Sequence, residues 1–142
     1  MPAASRTITI NRAPADVFAF LADGTTAQQW RSGVLDIALK SGHGVGAVYT
    51  QGVKGPGGRR IDADYEVTAL DPNRHIAFNA VAGPVRPTGS YDLAPAGDGT
   101  SLTFKLDAEL GGLKKLLMGG AVQSTMNAEM AALDKLKAVL EA

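Results

Sequence analysis

The chain has no cysteine. That removes disulfides, thiolate nucleophiles and cysteine-rich zinc sites together. It also has no net charge, with fourteen Lys and Arg against fourteen Asp and Glu. A neutral chain carries no overall electrostatic footprint for nucleic acid or anionic lipid, so neither is an expected partner. Long hydrophobic runs are missing as well. No window approaches the apolar length that crosses a bilayer, and membrane insertion is not expected. The opening "MPAASRTITI" lacks a basic segment followed by an apolar stretch, so no signal peptide is expected and a cytoplasmic location is. What is present is the composition of a folding chain, 45% apolar and 20% charged over 142 residues. That length suits a single domain, residues 1–142, with a core of its own.

Periodicity orders the elements. "RTITIN" alternates Ile8 and Ile10 with polar residues, the mark of a half-buried strand. "APADVFAFLAD" starts with Pro14 and Asp16, residues suited to a first helical turn, and puts Val17, Phe18 and Leu21 on one side. Asp23-Gly24 ends it. "TTAQQW" offers Thr25 with Gln28, or Thr26 with Gln29, as the capping box of a second short helix ending near Trp30. From there to Glu109 alternating runs are separated by breakers: "SGHGVG", "GPGG", "DPNR", "GPVRP" and "APAGDG". "VLDIALK" sets Leu35, Ile37 and Leu39 on one face, and "RIDADYEVTAL" alternates throughout. In the last third the period changes. Val122, Met126, Met130, Leu133, Leu136 and Leu140 recur at helical steps, while Lys114, Lys115 and most other charges fall elsewhere. This predicts one long helix over about Leu113 to Glu141, roughly 40 Å at the helical rise, weakened or kinked at Gly119-Gly120.

The expected class is α+β: an antiparallel meander with one wet face, its other face covered by the long helix. A curved sheet gripping a helix leaves a gap suited to a ligand.

The stretches "ITINRAPADVFAFLAD", Trp30, "VTALDPNRHIAF", "GSYDLAPAGDGTSLTF" and "LDKLKAVLE" resemble the START-like, or SRPBCC, superfamily, and within it the polyketide cyclase/dehydrase-like proteins. The resemblance covers about Ser5 to Glu141. It implies a helix-grip fold, a curved seven-stranded antiparallel sheet around a long C-terminal helix, with two short helices after the first strand. It also implies an internal cavity for apolar ligands such as lipids or polyketides. Some relatives are aromatases or cyclases, some bind or carry, and some activate a chaperone ATPase. All three functions remain open for this chain.

Strand geometry sorts the candidate residues. Asp62, Asp64 and Glu66 share one face of their strand and the apolar residues share the other. The acids are therefore solvent-facing rather than a metal or acid–base cluster. Tyr65 points inward, as do Tyr49 and Tyr91, and each buried hydroxyl needs a partner. Gln51 lies two residues after Tyr49, on the same face. With Phe78 and Phe104 on neighbouring strands and Met126 and Met130 on the helix, these residues form the expected ligand-binding set. Met118 and Gln123 are candidates to join it. Trp30 either closes the end of the core or lines the pocket entrance. His43 and His75 lie in separate turn regions, without the spacing of metal ligands. "KGPGGRR" lacks the following Lys-Ser or Lys-Thr of a phosphate loop and reads as a hairpin, in which Arg59 or Arg60 could meet an acidic head group. No catalytic residue, metal or cofactor is assigned. The partner is a small apolar ligand, and the chain is a monomer or homodimer.

Overall fold

The structure, a computed structural model, describes residues 2–83 and 85–142. Met1, and Pro84 of the expected 83–87 turn, lie outside them, as do the side chains of Pro56 and Lys115. The chain begins with strand β1 (Ala3–Ile10), then helix α1 (Pro14–Ala22) and a short 3-10 helix (Gly24–Gln29). Strands β2 (Val34–Ser41), β3 (Val48–Lys54), β4 (Arg60–Asp62), β5 (Tyr65–Asp71), β6 (His75–Ala80), β7 (Thr88–Ala96) and β8 (Gly99–Asp107) follow. Helices α2 (Gly112–Ala131) and α3 (Leu133–Glu141) close the chain. The strands form one antiparallel sheet ordered β1-β8-β7-β6-β5-β3-β2, and β4 pairs with β3 beside that path. β1 and β2 are therefore the two edges. The helical segments between them carry the chain from one edge to the other.

The sheet holds its inner face against the C-terminal helices. On β8, Leu102, Phe104 and Leu106 all point into the core, and Ala108 just past its end is buried with them, as strict alternation requires. Leu133, Leu136 and Leu140 of α3 pack with Ile10, Val17, Leu93 and Leu102. Polar ties fix the helices to β1. Arg6 donates to the Met130 carbonyl and to Asp134, and Lys137 donates to the Thr9 carbonyl. Beyond β1 proper, Arg12 donates to the Leu140 carbonyl.

Several local expectations are corrected. The second helix is capped by Asp23, whose carboxylate accepts from the Thr25 backbone N–H at 3.1 Å and its hydroxyl at 2.6 Å. An aspartate already in place outcompetes a Thr–Gln box two or three residues later. The helix passes through Gly119-Gly120 unbroken, and its interruption falls at Ala132. Leu35 and Leu39 on edge strand β2 are largely exposed, because the helix covers the opposite end of the sheet and does not reach them. The apparent single strand "RIDADYEVTAL" is two strands, β4 and β5, broken at Ala63-Asp64.

That break positions part of the site. The β3–β4 pairing reaches Gly52 and the β3–β5 pairing reaches Tyr49. Gln51 lies between the two ladders. Its N–H donates to the Asp64 carboxylate at 3.0 Å and its carbonyl accepts from the Ala63 N–H at 2.8 Å. Asp64 is thus not one of three solvated acids. It replaces a missing ladder bond that would otherwise leave a part-buried donor unpaired.

Candidate functional site

Packing is complete at the α3 end of the sheet and incomplete at the α2 end. There a cavity of about 500 Å³ lies between α2, the 3-10 helix and strands β3 to β8. This is within the usual volume of small-molecule sites. Tyr49, Gln51, Tyr65, Phe78, Tyr91, Phe104 and Met126 all line it, together with Trp30 and Met118. Met130 does not. It is buried in the packed core one turn further along the helix, where the filled end of the sheet begins. Gln123 also turns away, bridging the Ala3 backbone and Asn127 at the sheet edge. Trp30 is part of the inner wall rather than the entrance, edge-on to both Tyr91 and Phe104.

The wall is an aromatic ladder across consecutive strands. Tyr49 on β3 stacks on Tyr65 on β5 with centroids 5.1 Å apart. Tyr65 meets Phe78 on β6 at 5.5 Å, and Phe78 meets Tyr91 on β7 at 5.9 Å. Tyr91 stacks on Phe104 on β8 at 4.6 Å. Register explains the two stacked pairs, since Tyr49 is directly opposite Tyr65 and Tyr91 opposite Phe104. With Trp30, the ladder uses six of the eight aromatic residues in the chain.

Two glycines make room for it. A Cβ at Gly89 would collide with the Phe78 ring, and one at Gly24 would collide with the Tyr65 hydroxyl and the Tyr49 ring. Gly24→Val is therefore expected to push both tyrosines into the cavity and to cost about 1–3 kcal/mol, the usual penalty of overpacking. Urea unfolding measures the cost. Reduced uptake of a hydrophobic fluorescent dye measures the narrowing.

The polar end holds a pair that the one-dimensional pattern did not reveal. Arg31 directs its Nε and Nη2 at the two Glu129 carboxylate oxygens, at 2.6 and 3.2 Å. Its Nη1 donates to Gln51 Oε1 at 3.1 Å, and the Gln51 amide donates onward to the Ala63 carbonyl at 3.1 Å. The side chains of Arg31 and Glu129 are only 16% and 13% exposed. Neither residue is among the candidates read from the sequence, and both line the cavity. Ninety-eight residues separate the partners, so no local spacing shows the pair. Burial by itself would lower the Arg31 pKa. The charge and hydrogen bonds of Glu129 outweigh it and hold the guanidinium above its ordinary value, firmly cationic.

Burial also raises the Tyr65 and Tyr91 pKa values above the ordinary phenol range, against a smaller opposite pull from Arg31. Both are therefore neutral hydroxyls at physiological pH. Among the described residues, none is found hydrogen-bonding the Tyr49, Tyr65 or Tyr91 hydroxyl, and no buried side-chain oxygen or nitrogen is left unsatisfied. The hydroxyls therefore open onto the cavity space.

The other candidates fall outside. Arg60 is held by Asp36 at 2.8 Å and by Asp62 at 2.6 Å, and lies across Gly52, so it is not available to a head group in the cavity. His75 pairs with Asp92 at 2.7 Å on strands β6 and β7, away from the cavity lining, and His43 is exposed in its turn. Among the described residues, no three His, Cys, Asp or Glu side chains cluster as a metal site would require.

A family model described as polyketide cyclase / dehydrase and lipid transport matches residues 1–141. No curated protein is similar to the chain in sequence. Among solved structures, TTHA0849 from Thermus thermophilus is 18% identical, with 98% of this chain and 97% of that one covered and a TM-score of 0.82. The Zhui aromatase/cyclase from a Streptomyces species is 17% identical, with 98% and 93% covered and a TM-score of 0.72. The di-domain aromatase/cyclase StfQ of the steffimycin biosynthetic pathway is 15% identical with a TM-score of 0.79; 99% of this chain matches 51% of that one. At these identities the likeness is one of fold, and that fold is the helix-grip architecture expected from the resemblance.

Proposed function

We propose, since the chain belongs to the polyketide cyclase / dehydrase and lipid transport family, that its cavity binds a small, largely apolar molecule with oxygen atoms at one end, lipid or polyketide-like. The observation that carries this reading is the aromatic ladder, whose tyrosine hydroxyls have no hydrogen-bond partner among the described residues and face open space. An apolar body would bury against the rings and Met126. Its oxygens would accept from hydroxyls that otherwise go unused. Because Glu129 already neutralises Arg31, a neutral keto or hydroxyl group suits this end better than a carboxylate.

The test is organic extraction of the purified protein with mass spectrometry, alongside thermal shift across neutral lipids, fatty acids and aromatic polyketides. A ligand at about a hundred times its Kd adds about 2.7 kcal/mol of stability, and Tyr65→Phe is expected to weaken it several-fold through the lost hydrogen bond. An empty extract together with no shift across the panel would count decisively against the reading.

A catalytic alternative has one specific observation in its favour. Arg31 is a fixed cation close enough to Tyr65 and Tyr91 to bias their ionisation. Hydroxyls and a guanidinium so placed would stabilise negative charge developing on a carbonyl oxygen during ring closure of a keto chain. Turnover of such a substrate, reduced in Tyr65→Phe or Tyr91→Phe, would establish it; binding without turnover leaves the carrier reading.

A further inference from the structure

The break between β4 and β5 is not a change of register. Tyr49 pairs with Tyr65 and Gly52 with Asp62, and the same number of residues separates the two pairs on both strands. That register sets Gln51 opposite Ala63. The Ala63 N–H does donate to the Gln51 carbonyl, at 2.8 Å. In an antiparallel ladder such a bond has a twin, here from the Gln51 N–H to the Ala63 carbonyl. Two side-chain bonds stand in its place. The Gln51 N–H donates to the Asp64 carboxylate at 3.0 Å, and the Ala63 carbonyl accepts from the Gln51 side-chain amide at 3.1 Å.

This exchange fixes a side chain in the cavity wall. With its nitrogen held by Ala63, the Gln51 amide presents its oxygen to Arg31 Nη1 at 3.1 Å. A guanidinium has five N–H groups. Arg31 spends two on Glu129 and one on Gln51. One N–H on each Nη is left without a partner among the described residues, and the side chain lines the cavity. The guanidinium is a rigid planar fork, so Glu129 and Gln51 together set where its unspent donors are aimed.

We propose that Asp64 is a positioning residue that makes the cavity select ligands bearing a carbonyl oxygen. The proposal rests on the ligand-binding reading above. Asp64 is not among the residues that line the cavity, and it acts through Gln51. By accepting the Gln51 N–H it frees the Ala63 carbonyl to hold the Gln51 amide, and the amide aims the unspent donors of Arg31. A carbonyl oxygen has two lone pairs to offer such donors and a hydrocarbon has none. Asp64→Ala removes the acceptor. The Gln51 N–H then takes the Ala63 carbonyl opposite it, the ladder closes and the side-chain amide is released. The backbone stays satisfied, so the cost falls on the site and not on the sheet. Asp64→Asn keeps an acceptor oxygen and with it the arrangement.

The experiment titrates the full chain with 1-tetralone and with tetralin, a ketone and the hydrocarbon of the same skeleton, followed by NMR. In Asp64→Ala the ratio of ketone to hydrocarbon affinity is expected to fall about fivefold, the usual worth of a hydrogen bond, with tetralin affinity unchanged. Asp64→Asn is expected to retain the wild-type ratio. The Gln51 side-chain amide protons are expected to exchange slowly in the wild type and fast in Asp64→Ala, while the Gln51 backbone N–H stays protected in both. An unchanged ratio in Asp64→Ala overturns the proposal. So does a parallel loss of both probes, which would mean a structural role only. An Asp64→Asn variant as impaired as Asp64→Ala overturns it too, because the acceptor oxygen would not be what matters. If neither probe binds the wild type, the ligand-binding reading is what fails, and exchange of the Gln51 amide still decides the positioning role.

Discussion

Glu129→Ala is expected to destabilise the protein by about 3 kcal/mol, the lower end of the range for breaking a buried ion pair. The substitution leaves Arg31 charged and enclosed, with its remaining side-chain partner the neutral Gln51. The cavity admits water to that cation, which limits the loss. Urea unfolding of the single variant measures it. The cycle is completed by Arg31→Met and by Arg31→Met/Glu129→Leu. If the pair is maintained for the site rather than for stability, the apolar double variant recovers most of the loss, since hydrophobic replacement of a buried pair is often neutral or stabilising. Ligand-induced stabilisation is then expected to fall in the double variant although the fold is restored. Gln51 would have lost the donor that orients its amide, and the cavity its polar end. A Glu129→Ala variant as stable as the wild type would show that the pair is not effectively buried.

Phe104→Ala is expected to cost about 4 kcal/mol, within the range for removing a buried phenylalanine ring. For a chain of this size that is a fall of roughly 10 °C in the unfolding midpoint. The ring is 1% exposed, stacks on Tyr91 and is edge-on to Trp30. It sits where the filled core meets the cavity, so its loss extends the empty space rather than creating an isolated hole. Surroundings already beside a void collapse poorly into a new one, which puts the cost well above the minimum. Phe104→Leu, which keeps most of the volume, is expected to cost under about 1.5 kcal/mol. Calorimetric midpoints of the two variants separate volume from aromaticity. A small loss for Phe104→Ala would mean that α2 closes down on the sheet, and the cavity volume would shrink with it.

Much of this was legible in the residues. The alternation of "TSLTFKLDAEL" put Leu102, Phe104 and Leu106 on the inner face, and β8 carries them there. The helical spacing of Leu133, Leu136 and Leu140 identified the packed side of the C-terminal helix. Tyr49, Gln51, Tyr65, Phe78, Tyr91, Phe104 and Met126 could each be assigned a direction from period alone, and they share one cavity. Met130 has the same helical phase as Met126, yet it meets a filled core. Phase gives a direction around the helix axis but not what lies opposite at each level. Leu35 and Leu39 failed for a related reason. Their pattern marked an apolar side without showing that nothing covers it.

Local order, then, decided which elements form and which way each side chain points, because backbone geometry repeats every two residues in a strand and every 3.6 in a helix. Two things arose only when distant elements met. One is the Arg31–Glu129 pair, joined across ninety-eight residues. Another is the gap between β4 and β5 that recruits Asp64 to the Gln51 backbone. Each depends on distances between parts of the chain that no periodic pattern specifies, and buried charge and unsatisfied backbone are properties of those distances.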